Sequence, residues 1–146
     1  MWARIEDGAV VEVTSSDPEG RFHKSLIWVE CPPGIGEGWT LQDSQFRPPR
    51  PSQYHTWTQG QWMLDEVAET EGLKQQAIAE VSRLMIAATQ ELAPLQDAVD
   101  LEMATSGEVA LYTEWRRYRV ELNRVEQQVG FPRQIVWPTK PVSNIG

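Results

Sequence analysis

Three kinds of residue in this chain could carry reaction chemistry, and the placement of each argues against that use. His23 and His55 are its two imidazoles, and Cys31 is its one thiol. Metal sites draw Cys, His or carboxylate ligands from short, regular spacings. Neither histidine has such a partner, so no metal ligand is assigned. No nucleophile elbow, zinc-protease motif or Cys-His signature surrounds Cys31 or any serine. Gly34, Gly36 and Gly38 raise the question of a phosphate-binding loop, but no Lys-Ser/Thr follows and no helix signal comes next. A loop and bulge between strands accounts for them. The carboxylates fall on helix faces, where they provide solubility and i,i+4 pairing. The chain therefore reads as a non-enzyme, with no catalytic residue, no metal and no cofactor.

Binding is the chemistry that remains. Seven of the thirteen aromatic residues are tryptophan, a side chain that buries much area, keeps one donor and suits interfaces and small cores. A net charge of −8 and a pI near 4.7 argue against a nucleic-acid partner, because phosphate binding needs a positive surface. A lone cysteine allows no intrachain disulfide, so a reducing compartment is expected. The opening Met-Trp-Ala-Arg-Ile-Glu-Asp has no apolar signal core, and no apolar run approaches membrane-spanning length. The expectation is a soluble protein folded in the cytosol, with no membrane partner.

The elements that must present such binding residues follow from periodicity. Trp2 to Glu6 and Ala9 to Thr14 alternate about Asp7-Gly8, a pair that adopts the positive φ angles of a two-residue hairpin turn. Leu26 to Cys31 is a β-branched and aromatic run stopped by Pro32-Pro33, hence a third strand. Phe46 to Pro51 is too rich in proline for helix and reads as a stiff polyproline II linker. Tyr54 to Leu64 predicts a small aromatic hairpin about Gln59-Gly60, with Trp57 and Trp62 across from each other.

From Asp65, a plausible N-cap, one apolar stripe runs through Leu73, Ala77, Val81, Leu84, Ala88, Leu92, Leu95 and Val99. It stays in phase across Pro94, which predicts one long kinked helix or two nearly collinear ones. Thr105 and Glu108 form a capping box ahead of a second helix. Its residues Leu111, Trp115, Tyr118, Leu122 and Val125 fall at spacings of four, three, four and three, a narrow seam for packing along another helix. Residues 65–102 hold nine acids and two bases, while Arg116, Arg117, Arg119 and Arg124 crowd the returning helix. Opposite charge bias and a short turn predict an antiparallel hairpin, with the second helix running to Glu126. The fold class is α+β: a small antiparallel β domain over 1–47, a Pro-rich linker and aromatic hairpin over 48–64, and a helical hairpin with an extended tail over 65–146. In the tail, Pro132, Pro138 and Pro141 exclude helix. Ile135-Val136-Trp137 would contribute about 3–6 kcal/mol if buried, before ordering costs. It is expected to dock as an extended strand anchored by Trp137, on its own helices, on a partner or on a second copy.

Several ordered segments resemble one family. "APLQDAVDLEMAT", "EWRRYRVELNRV" and "IVWPTKP" look like the C-terminal signature of tail fibre assembly proteins of tailed bacteriophages and prophages. "RFHKSLIWVECP", "GEGWTL" and "FRPP" are similar to the front half of the same family. Ser106-Gly107 stands where members more often carry acids, and Gln127 to Pro132 is inserted before the closing motif. These departures bear on the length of the last helix and the path of the tail. The resemblance implies a chaperone that binds the distal C-terminal part of a tail fibre protein and promotes its folding or trimerisation in the host cytoplasm. The alternative it implies is an adhesin that stays at the fibre tip and touches host glycan, which exposed indoles at Trp57 and Trp62 would suit. The partner-binding candidates are Trp115, Tyr118, Arg119, Leu122, Asn123, Trp137 and Pro138, which are motif positions carried over, together with Ile135. A simple hairpin core explains Trp115, Tyr118 and Leu122 equally well.

Overall fold

In a computed structural model, which describes residues 1–142, Asp7 and Gly8 hold φ angles of 49° and 79°. They join β1 (Trp2–Glu6) to β2 (Ala9–Thr14). The register pairs Ile5 with Val10 but Arg4 with Glu12, so Val11 is an extra residue in the ladder. That bulge resets the two-residue phase. It is why Val10 and Val13, three apart, both face the same core. Strand β3 (Ile27–Glu30) pairs antiparallel with β1 on its other edge, Ala3 lying opposite Val29. Ala3, Val10 and Cys31 are buried together, with Ile5, Val13, Ile35, Trp39 and Phe46 packed around them.

Two short strands complete this sheet, β4 (Thr40–Gln42) and β5 (Gln45–Arg47), in the order β3-β1-β2-β4-β5. Their turn, Asp43-Ser44, has φ of 50° and 62° without any glycine, so a turn typed by composition escapes a reading that looks for Asn-Gly or Asp-Gly. The Pro-rich segment after β5 is not a free spacer. The Pro48 carbonyl accepts the Trp62 indole N–H at 2.8 Å, and Arg50 donates to the carbonyls of His55 and Gln53 at 2.8 and 2.7 Å. Strands β6 (His55–Thr58) and β7 (Gln61–Leu64) form the aromatic hairpin about Gln59-Gly60. Trp57 pairs with Trp62 in register, ring centroids 5.1 Å apart and edge to face.

The chain divides between Asp65 and Glu66 into two compact units. The second holds α1 (Glu66–Asp100) and α2 (Ser106–Asn123). At 35 residues, α1 runs about 52 Å at the usual rise. It continues through Pro94, which removes a donor to the Gln90 carbonyl. Both residues are exposed, so that carbonyl can bond to water and the helix persists. Its end is a Schellman turn: Glu102 takes φ 56°, the Met103 amide donates to the Ala98 carbonyl, and the Glu102 amide donates to that of Val99. Both halves of the capping box on α2 form, Glu108 N–H to Thr105 Oγ1 at 3.2 Å and Thr105 N–H to Glu108 Oε2 at 2.9 Å. Ala88 and Leu92 of α1 are buried with Trp115, Tyr118 and Leu122 of α2. The helix ends earlier than its apolar spacing predicts. After Asn123 the backbone tightens into a 3₁₀ turn, Val125–Gln127, with Val125 fully buried.

Candidate partner-binding surfaces

Four-three spacing turns Trp115, Tyr118 and Leu122 toward α1, and they are only 4%, 4% and 1% exposed. Trp115 and Tyr118 meet edge to face at 5.6 Å. Burial raises the Tyr118 phenol above its ordinary pKa, the Arg83 guanidinium opposing that shift and the Glu80 carboxylate adding to it. These three residues hold the helical pair together, and partner contact would require the pair to open. Tyr112 extends the seam toward the turn, donating its hydroxyl to Gln96 while Arg116 lies over its ring at 5.3 Å. Arg119 is half-buried, and its Nε is covered without a hydrogen-bond partner. Asn123 is exposed at the end of the helix.

The tail departs from its expected form. No strand forms among its described residues, and the apolar triplet is not fully buried within the chain: Val136 is 80% exposed, Trp137 38%, and Ile135 half-buried. Polar side chains hold it. The Gln128 amide donates to the Val136 carbonyl and accepts the Val136 N–H, both at 2.8 Å, imitating one rung of a β-ladder. Arg133 reaches Glu69 at 2.7 Å and Thr70 at 2.9 Å, near the start of α1. Gly130 makes the tight turn possible, because a Cβ there would sit 2.5 Å from the Gln134 carbonyl oxygen. Gln128 and Gly130 belong to the segment that departs from the family pattern, which was the one sequence signal for them. Pro138 is half-buried. Beyond it, residues 139–142 line one side of a groove of about 1040 Å³ whose other side is α2, at Glu108, Leu111, Glu114, Arg117, Tyr118 and Glu121. Residues 143–146, the end of the expected tail, lie outside the described residues.

In the β unit, Trp57 and Trp62 are half-buried. Arg47 lies over Trp57 at 5.3 Å and Arg50 over Trp62 at 6.0 Å, and the Trp62 N–H is taken by Pro48. A guanidinium thus lies over one face of each ring. His23 bonds Ser25 at 2.7 Å and His55 bonds Ser52 at 2.8 Å, each a local contact. Cys31 is a buried free thiol in the sheet core. Among the described residues, no three His, Cys, Asp or Glu side chains gather as a metal site, and no helix is long and apolar enough to cross a membrane.

Comparison with known proteins adds what geometry alone does not. The family model described as "Caudovirales tail fibre assembly protein, lambda gpK" matches residues 9–142. Protein TfaD of Escherichia coli strain K12 is 41% identical over 90 residues, which cover 62% of this chain and 47% of that protein. The tail fiber assembly protein of Escherichia phage lambda is 40% identical over 90 residues, covering 62% and 45%. A probable tail fiber assembly protein of Acyrthosiphon pisum secondary endosymbiont phage 1 is 50% identical over 60 residues, covering 41% and 37%. The chain therefore spans about half the length, or less, of these curated relatives. No solved structure matches it significantly.

Proposed function

This chain belongs to the Caudovirales tail fibre assembly protein family, and from that premise we propose that it is a fibre-assembly chaperone. It binds the distal, C-terminal part of a tail fibre protein in the host cytoplasm and promotes folding and trimerisation of that part. The observation that carries this reading is the family match across residues 9–142. Its contribution is made by binding rather than by catalysis. Arg119, Asn123, Ile135, Trp137 and Pro138 contact the fibre, and Trp115, Tyr118 and Leu122 build the helical pair that presents them. Exposed Val136 and Trp137 support the tail as part of the contact, since apolar side chains left in water favour a partner that covers them. The glycan-binding alternative is the less favoured reading, because Trp57 and Trp62 are half-buried and each has a guanidinium over one face.

Co-expression of the fibre's distal fragment with and without this chain tests the proposal. Soluble fibre should rise several-fold in its presence, and the chain should be missing from purified particles. An unchanged yield would remove the chaperone reading, and recovery from particles at fibre stoichiometry would favour a structural component.

A further inference from the structure

Helix α2 carries a second seam on the side away from α1. Val109, Thr113, Arg116, Val120 and Asn123 repeat the four-three-four spacing of the buried seam and are all exposed, Val109 at 47% and Val120 at 46%. Arg117 and Arg124, seven residues apart, flank it. No carboxylate lies in this seam. Of the acids of α2, Glu114 and Glu121 line the tail groove beside Arg117 without an ion pair to it, and Glu108 is engaged in the cap. The ion pairs among the described residues use Arg4, Arg47, Arg83 and Arg133. Arg116, Arg117 and Arg124 have none, in a chain with 21 acids and a net charge of −8.

Two valines eleven residues apart on one helix face, with Thr113 and Arg116 between them, can accept a helix laid alongside, its own side chains in the gaps. A helix covering this seam would strip water from arginines that make no ion pair within the chain. Desolvating an unpaired charge is costly, whereas a bidentate carboxylate offsets that cost and fixes register. Three arginines interrupted by valines are a poor match to a phosphate backbone, which rewards an unbroken positive track. We propose that the outer seam of α2 is the docking surface for an acidic amphipathic helical segment of the fibre polypeptide, with Arg116, Arg117 and Arg124 pairing its carboxylates about Val109 and Val120. This rests on the fibre-binding reading above and adds the surface and the chemistry of the segment it takes.

The test measures binding of the full chain to the fibre's distal fragment at rising salt, for the wild type, Arg117→Glu/Arg124→Glu, and Arg116→Glu/Arg117→Glu/Arg124→Glu. The double variant leaves the Arg116–Tyr112 contact in place, and circular dichroism checks that both variants stay folded. The wild type should weaken as salt rises, and the triple variant should bind at least about tenfold more weakly, with little salt dependence left. Undiminished, salt-sensitive binding by both variants would overturn the docking surface while leaving the fibre reading intact. A wild type that captures no fibre would overturn both. Sedimentation of the chain alone and titration with duplex DNA complete the test: self-association or DNA binding abolished by the same variants would assign the seam to a second copy or to nucleic acid, and would equally overturn the proposal.

Discussion

Tyr118 shows how one side chain links the helical core to a measurable pH dependence. Burial lifts its phenol pKa, so the folded state holds the proton more tightly than the unfolded chain does. That contribution is intact below about pH 10, where a free tyrosine titrates, and is lost as the pH rises through the higher folded value. Urea melts should therefore show the helical unit losing stability above about pH 10, and Tyr118→Phe should flatten that loss. An unchanged alkaline slope in the variant would place the titration elsewhere. Leu122 is the largest fully buried side chain of the same cluster, at 1% exposure. Leu122→Ala should cost about 2–5 kcal/mol, since the neighbouring rings collapse only partly into the gap. Denaturant unfolding checks this, and a loss below about 1 kcal/mol would mean that the seam packs loosely.

Local chemistry decided which elements could be read from sequence. Asp7-Gly8 and the Thr105/Glu108 box each pair a residue type with a backbone requirement at fixed spacing, so hairpin and helix start were both legible. Asp43-Ser44 makes a turn of the same hand without glycine, and β4 and β5 were missed because three-residue strands have almost no period to detect. How the tail is held within the chain was not legible, for a different reason. Three consecutive apolar residues argued for burial, but Gln128 and Arg133 fix the segment through polar bonds to residues eight and 64 positions away, a pairing that no local pattern encodes. Gln128→Ala removes both bonds to Val136. Hydrogen exchange should then show the Val136 amide losing protection while amides of α1 and α2 keep theirs. Retained protection at Val136 would mean that Arg133 and the Gly130 turn suffice to hold the tail.

At the scale of the whole chain, the α+β class, the two helices and the family were legible, because they rest on long periodic stripes and on several motifs in order. The division of labour within the candidate site was not. Spacing alone marks Trp115, Tyr118 and Leu122 as a seam but cannot say whether α1 or a partner fills it, and only packing against Ala88 and Leu92 decides that. The same limit hid the outer seam, whose arginines gain meaning once the ion pairs of the other arginines are known. The claim that this chain assists fibre assembly stands or falls on two purified components. The fibre's distal fragment, refolded from denaturant alone and with this chain, should be followed by light scattering after size exclusion. The account predicts that the trimer mass forms only with the chain present, or many-fold faster with it. Trimer forming at the same rate and yield in its absence would contradict it.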